Sequence, residues 1–109
     1  MGMEIKRFDV LLISLDPTRG SDIKKTRPCL VISPDEINRY LRTLFVAPMT
    51  TKRRNYPTRI ACTFRGKDGQ VVLDQLRTID RERVTKKLGS IDTKTQRLVL
   101  STLTELFAE

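Results

Sequence analysis

Short runs of β-branched and apolar residues, separated by turn-forming and polar segments, constrain the fold of this chain more than any other feature. They lie at residues 8–15, 28–33, 43–50, 58–64 and 71–78. Runs of this length between turn formers predict strands rather than helices. The first run is apolar at odd and even positions alike, so we expect it to be covered on both faces, by the core or by a partner subunit.

One stretch near the C-terminus has the spacing of a helix. Between residues 93 and 107, apolar side chains recur at i, i+4, i+7 and i+8, at Val99, Leu103, Leu106 and Phe107. This spacing predicts an amphipathic helix that begins at a cap formed by Asp92 or Thr93. Several short strands followed by one helix predict an α+β fold that is mainly β, a small β-barrel with a C-terminal helix packed on it.

The fourth run alternates and predicts which side chains face the core. Odd and even positions separate into an inward set and an outward set: Ile60, Cys62 and Phe64 inward, and Arg59, Ala61 and Thr63 outward. After this run, Gly66 and Gly69 are expected to bracket a hairpin turn.

Length and charge limit the kinds of partner. The 109 residues suit a single domain, 1–109, and 21 Lys and Arg against 13 Asp and Glu give a net charge of +8, which attracts polyanions. No apolar run approaches the roughly 20 residues that span a bilayer, so we expect a soluble cytoplasmic protein that binds no membrane. Cys29 and Cys62 lie in apolar runs and are expected to be reduced core thiols. With no histidine and two cysteines, we expect neither a metal site nor a cofactor.

The strands at 28–33 and 43–50 predict the position of a phosphate site. They follow each other after a short connection, so antiparallel pairing is expected. The start of the first strand then lies beside the end of the second, which places Arg27 and Thr50 at one end of the sheet. A guanidinium beside a hydroxyl can hold a phosphate and the charge that develops on it. The alternative is that Arg27 binds carbonyl or acidic groups and Thr50 only ends a strand.

The chemistry that fits these residues is cleavage of RNA by its own 2′-hydroxyl. No cluster of carboxylates has metal-ligand spacing, which argues against two-metal nuclease chemistry. In the 2′-hydroxyl route, Arg27 would stabilise the phosphorane and Thr50 would orient a phosphate oxygen or the 2′-hydroxyl. Asp74 is the remaining acid–base candidate, and its alternative role is to anchor Arg77 or a backbone amide. DNA lacks the 2′-hydroxyl and would not be cleaved.

Basic loops next to this pair predict a groove for single-stranded nucleic acid. The loops at 19–25 and 52–54 spring from the same end of the predicted sheet. We expect RNA contacts from a set of mostly basic residues: Arg19, Ser21, Lys24, Lys25, Lys52, Arg53, Arg54, Gln75 and Arg77.

Four motifs resemble the MazF/PemK-type toxins, in the same order and with similar gaps over nearly the whole chain. They are LDPTRGS at 15–21, KTRP at 25–28, VAPMT at 46–50 and LDQLRTID at 73–80. By this resemblance Arg27 and Thr50 fall on the family's catalytic arginine and threonine, and Asp74 on an aspartate with a base role in PemK-type members. Ser21 and Val72 stand where PemK-type toxins carry a histidine and an arginine, so the MazF-type arrangement fits better.

The resemblance implies a toxin of a type II toxin–antitoxin system with an SH3-like, CcdB-like barrel. Such toxins are homodimers that cleave single-stranded RNA at short sequences without metal, leaving 2′,3′-cyclic phosphate and 5′-hydroxyl ends. Their antitoxin blocks the RNA groove with an acidic tail, which would suit the positive charge of this chain.

Two alternatives to a ribonuclease remain. CcdB-type gyrase poisons share the barrel but end in Trp-Gly-Ile, whereas this chain ends Phe-Ala-Glu and contains no tryptophan. A nucleic-acid-binding barrel without catalysis would use the same basic groove, with Arg27 only gripping phosphate. It would be favoured by a stacking platform, for which Tyr40 and Tyr56 are the two aromatic residues expected in loops.

Overall fold

The computed structural model describes residues 3–15 and 26–109. Within them the chain forms seven strands and two helices. Their bounds are β1 (Asp9–Ser14), β2 (Thr26–Val31), α1 (Asp35–Tyr40), β3 (Thr43–Thr50), β4 (Arg59–Phe64), β5 (Lys67–Val72), β6 (Arg77–Asp80), β7 (Val84–Ser90) and α2 (Thr93–Leu106). The strands follow the order β4-β5-β3-β2-β1-β7 in a curled half-barrel, and β6 also pairs with β3. The predicted α+β fold, mainly β with a C-terminal helix, is confirmed.

Strand β3 is the centre of the sheet and has the bounds that the sequence predicts. On one side it pairs antiparallel with β2. On the other side its first half pairs with β6 and its last two residues, Met49 and Thr50, pair with β5. Two different strands therefore pair with successive parts of the same edge of β3, and the sheet curls to bring both of them alongside it.

Strand β1 is buried on both faces, as its double-sided apolar pattern predicts. Val10 lies in one hydrophobic cluster with residues of β2, β3 and α2, whereas Leu11 and Ile13 lie in a second cluster with residues of β2, β3 and β6. Val10, Leu11 and Ile13 are fully buried. The core of this chain covers both faces, so the apolar pattern needs no partner subunit to explain it.

The hairpin between β4 and β5 corrects one expectation. Its turn lies at Arg65 and Gly66, both with positive φ, which glycine adopts readily. Gly69 lies inside β5, opposite Cys62, and does not bracket the turn. Position 69 is a glycine for a steric reason, because its backbone packs against the end of β3 and leaves no room for a side chain.

The segment after β5 differs more from prediction. Instead of one strand over residues 71–78, the chain ends β5 at Val72, makes a 3-10 turn at Leu73–Gln75 and starts β6 at Arg77. The turn lets the chain leave the neighbourhood of β4 and pair with the first half of β3. Strand β7 has mostly exposed charged and small residues, so its sequence lacks the apolar run by which the other strands are predicted.

Helix α2 closes one side of the half-barrel through Val99, which is fully buried, and through Leu103, which packs against the same cluster. Asp92 occupies the N-cap position, and its carboxylate accepts a hydrogen bond from the Thr95 hydroxyl at 2.6 Å. The predicted helix is confirmed, but the last two residues of its apolar pattern, Leu106 and Phe107, do not reach the core and are 44% and 71% exposed. No helix in the described part of the chain is long and apolar enough to cross a membrane.

Candidate active site

Arg27 and Thr50 lie at the same end of the β2–β3 pair, as the strand order predicts. The register pairs Cys29 with Pro48 and Leu30 with Ala47. The pairing ends at Cys29 and Pro48, and Arg27 and Thr50 each lie two residues beyond it and line one cleft. Arg27 is exposed, and in the described part of the chain the salt bridges use other cations. Its guanidinium is therefore available for an anion in the cleft.

Backbone contacts orient the Thr50 hydroxyl. Its oxygen accepts a hydrogen bond from the backbone N–H of Lys52 at 3.1 Å. An oxygen that accepts from the protein leaves its own hydrogen free to donate to a ligand. On the other side, the backbone of Thr50 is braced by Gly69 of β5, which approaches it closely. Thr50 is thus a positioned donor at the edge of the cleft.

The cleft around this pair has a volume of about 1040 Å³ and a strongly cationic lining. Among the described residues, one acidic side chain, Asp68, lines it. The basic side chains in its walls are Arg27, Lys52, Arg54, Arg59, Arg65, Lys67 and Arg77. Walls of one charge sign in a concave site concentrate the field and attract polyanions. A cleft of this charge suits a chain of phosphates.

The basic loop after β3 is held in place by Gln70 of β5. The Gln70 side chain accepts a hydrogen bond from the backbone N–H of Arg54 at 3.1 Å and donates one to the carbonyl of Arg54 at 3.0 Å. Because Gln70 also pairs with Thr50 in the sheet, the loop and the end of β3 share one support. Arg54 therefore enters the cleft from a braced backbone.

Asp74 makes a two-point ion pair with Arg59. The Arg59 Nε and Nη2 donate to the two carboxylate oxygens at 2.9 Å and 3.3 Å, and the Thr58 hydroxyl donates at 3.0 Å. The hydrogen bond from Arg59 holds the pKa of Asp74 below its ordinary value of 3.8, and the bond from Thr58 lowers it further. A carboxylate with a lowered pKa is a weak base at neutral pH. These contacts favour an anchoring role, with Arg59 rather than Arg77 as the residue it holds.

The cleft brings together some predicted residues and leaves others apart. Its lining includes a predicted set from three parts of the chain: Arg27, Thr50, Lys52, Arg54, Gln75 and Arg77. Asp74 and Arg53 do not line it, and Arg53 instead faces Asp68 at 3.7 Å. The predictions for Arg19, Ser21, Lys24 and Lys25 fall outside the described residues.

Arg59 is the main residue of the cleft that the predicted RNA-binding set omits. Alternation along β4 predicts an outward side chain but not its pairing with Asp74, which leaves that side chain only 11% exposed. The predicted RNA-binding set also omits Arg65 and Lys67, which flank the β4–β5 turn. The sequence shows two cations beside a glycine turn, but it does not show that this turn directs them toward the cleft.

The two cysteines are free thiols, as predicted. Burial raises the pKa of the Cys29 thiol to about 12, against the opposing positive charges of Arg77 and Arg27. Burial also raises the pKa of Cys62, which is half-buried in the cleft wall. Both thiols are therefore protonated at neutral pH. In residues 3–15 and 26–109, no three His, Cys, Asp or Glu side chains gather as a metal site.

Comparison with known proteins finds a matching family and a similar protein. The sequence model of one protein family, the PemK-like, MazF-like toxins of type II toxin–antitoxin systems, matches residues 6–107 of the chain. The chain is similar to the endoribonuclease EndoA of Bacillus subtilis (strain 168), with 35% identity over 96 residues that cover 83% of each protein.

Solved structures show the same fold at lower sequence identity. A MazE-MazF crystal structure from Deinococcus radiodurans matches with a TM-score of 0.83 and 23% identity, covering 96% of both chains. An endoribonuclease in complex with its cognate antitoxin, from mycobacterial species, matches with a TM-score of 0.78 and 24% identity, covering 93% of this chain and 92% of the other.

Proposed function

Because the chain belongs to the PemK-like, MazF-like toxins of type II toxin–antitoxin systems, we propose that it is a toxin that cleaves single-stranded RNA. The observation that carries the proposal is that Arg27 and Thr50, at the same end of the β2–β3 pair, both line one cationic cleft. A similar protein named as an endoribonuclease supports the same activity.

In this reaction the nucleophile is the RNA's own 2′-hydroxyl, and the electrophile is the adjacent phosphorus. The 2′-hydroxyl loses its proton and its oxygen bonds to the adjacent phosphorus. The bond from phosphorus to the 5′-oxygen then breaks, and that oxygen takes up a proton. The products carry a 2′,3′-cyclic phosphate and a 5′-hydroxyl. The step needs no metal and no cofactor, because orientation and charge stabilisation are its main requirements.

Arg27 and Thr50 supply these two requirements. The Arg27 guanidinium keeps its charge at every physiological pH and can donate two parallel hydrogen bonds to the phosphorane oxygens. The Thr50 hydroxyl is aimed by the Lys52 backbone and donates to the same phosphate or orients the 2′-hydroxyl. Asp74 as the general base remains a prediction, and its ion pair with Arg59 argues for the anchoring role instead.

The partners of the chain follow from charge and exposed surface. An acidic antitoxin segment would cover the cationic cleft and so compete with RNA. Two apolar side chains of α2, Leu98 and Leu106, and Phe107 just after its end are exposed and would be covered in a homodimer. Neighbours of the same fold include a toxin in complex with its cognate antitoxin, which supports the first of these partners.

The test is incubation of the purified protein with a long unstructured RNA in EDTA, beside a DNA of the same sequence. We expect cleavage of the RNA alone, at discrete positions, with 5′-hydroxyl ends that a kinase labels without prior phosphatase treatment. A single deoxyribose placed at a mapped cut should block that cut. Binding without cleavage, over RNAs of varied sequence, would overturn the ribonuclease and leave a nucleic-acid-binding barrel.

A further inference from the structure

Tyr56 lies on the basic loop that leads into the cleft, and it is 53% exposed. Tyr56 itself lies outside the cleft lining, which includes Lys52 and Arg54 of the same loop and Arg59 of β4. A large aromatic side chain left in water gains by covering its ring with another flat group. Tyr56 is therefore exposed beside cations that suit phosphates. In this position its ring can contact a base while the neighbouring cations contact the RNA backbone.

The Tyr56 ring is backed by a cation. The Arg59 guanidinium carbon lies 5.2 Å from the ring centroid, within the range of a cation–π contact. Arg59 cannot move away easily, because the two-point ion pair with Asp74 fixes its guanidinium and leaves its side chain only 11% exposed. One side of the Tyr56 ring is thus supported from within the protein, and more than half of the residue is in contact with water.

The backbone that carries Tyr56 is also fixed. The N–H of Arg59 donates to the Tyr56 carbonyl at 3.0 Å, and this bond closes a turn that contains Pro57, whose φ is restricted by its ring. The next residue, Thr58, is tied to the turn after β5 because its carbonyl accepts from the N–H of Leu73 at 3.0 Å. A side chain that is rigid before binding loses little conformational entropy when a ligand covers it.

We propose that Tyr56 is a stacking platform for one unpaired base of the bound RNA, with Arg59 and Asp74 as the residues that position it. The inference rests on the proposed function, since it names the contact through which the cleft selects a single strand with splayed bases. Base stacking on an aromatic ring needs a bare face, and a base within a duplex does not offer one. Tyr56 is then a binding residue and takes no part in the proton transfers.

Tyrosine fluorescence reports this contact directly. The chain has two tyrosines and no tryptophan, so Tyr40→Phe leaves Tyr56 as the single tyrosine. Tyr40 suits this use because it lies at the end of α1, not on the loop that carries Tyr56, and is 76% exposed. The ligand is an oligonucleotide spanning a mapped cut, with deoxyribose at the cut so that it binds without being cleaved. N-acetyltyrosinamide in the same solution corrects for light absorbed by the oligonucleotide.

We expect saturable quenching of Tyr56 on binding, with binding itself followed by the anisotropy of a fluorescein on the oligonucleotide. Removing bases one at a time should abolish quenching at one position and leave it intact at the others. Tyr56→Ala should raise Kd by roughly 5- to 150-fold, as for the loss of one stacked base. Tyr56→Phe should bind as the wild type does, and Tyr40→Ala, a control at an exposed tyrosine elsewhere, should change nothing.

Bound oligonucleotide that leaves Tyr56 unquenched, or quenching that survives every base removal, would overturn the platform. An unchanged Kd for Tyr56→Ala would do the same. These results are separate from the proposed function, because cleavage of RNA by the wild type would still stand. If the protein cleaves no RNA, there is no mapped cut, and oligonucleotides of mixed sequence serve as the ligand instead. Base-dependent quenching with these ligands would support the platform and overturn the ribonuclease.

Discussion

Gly69 in β5 lies directly against the carbonyl of Thr50 in β3. A β-carbon at position 69 would fall well inside van der Waals distance of that carbonyl oxygen and close to the backbone of Thr51. Glycine is therefore required here by the closeness of two backbones and not by its own dihedral angles. The position of the Thr50 hydroxyl thus depends on the absence of a side chain in the neighbouring strand.

Gly69→Ala should slow RNA cleavage by displacing Thr50. The end of β3 must shift to admit the methyl group, and a loss of about 10- to 1000-fold is typical when one positioned donor is misplaced. The matched control is Gly66→Ala, which strains the hairpin turn at φ +78 but meets no atom within 4 Å. This control should lower Tm and leave the single-turnover rate nearly unchanged. Equal effects of the two variants on the rate would show that Gly69 does not set the position of Thr50.

Arg54→Ala should weaken RNA binding at every sequence and reduce its dependence on salt. The backbone of Arg54 is braced by Gln70 and its side chain lines the cleft. Removing one phosphate contact to a single strand lowers the slope of log K against log salt by about 0.7. Arg53→Ala is the neighbouring control, because Arg53 does not line the cleft and lies 3.7 Å from Asp68, so its loss should change the slope less. Equal slopes for the two variants would place both arginines on the RNA.

Asp74→Asn separates an anchor from a base through its pH dependence. The folded chain holds the pKa of Asp74 below 3.8, so the ion pair stabilises the fold at neutral pH and this stabilisation is lost as the pH falls through the lowered pKa. The wild type should therefore melt higher than Asp74→Asn above about pH 5, and the two Tm values should converge under more acidic conditions. If Asp74 is an anchor, cleavage by the variant should keep the pH profile of the wild type, including its rise from acidic pH. Loss of the rising limb of that profile, without a change in Tm, would identify a base.

The exposed apolar residues on α2 and just after its end should mediate self-association. Leu98 and Leu106 are 46% and 44% exposed, and Phe107 at the end of the helix is 71% exposed. Leu98→Glu combined with Leu106→Glu should convert a dimer to a monomer in sedimentation velocity at micromolar concentration. Leu41→Glu, which changes an apolar residue of similar exposure after α1, should leave the dimer intact. A wild-type monomer, or dissociation by both variants, would contradict an interface at α2.

The part of the fold that could be predicted depends on local patterns. Strand β3 has apolar residues at consecutive positions and begins and ends where expected. The antiparallel pairing of β2 with β3 predicts that Arg27 and Thr50 lie at the same end of the sheet. Helix α2 was predicted from its period because Val99 must reach the core. These features are visible in sequence because each depends on residues that are close along the chain.

The parts that escaped prediction depend on contacts between distant segments. Strand β7 pairs with β1 although its own sequence is polar, so its tertiary partner decides its conformation. The Arg59 side chain is only 11% exposed because Asp74, fifteen residues later, accepts its hydrogen bonds. The place of Gly69 inside β5 likewise follows from the approach of β3. None of these relationships leaves a periodic signal in the sequence.

A double-mutant cycle on the single-turnover cleavage rate tests the central claim that Arg27 and Thr50 act on one phosphate. The substrate is an RNA that carries one mapped cut, and the variants are Arg27→Ala, Thr50→Val and their combination, all in EDTA. Residues that act as a unit are strongly non-additive, so the double variant should lose much less than the product of the two single losses. Losses that multiply, or cleavage by Arg27→Ala at the wild-type rate, would contradict a shared site.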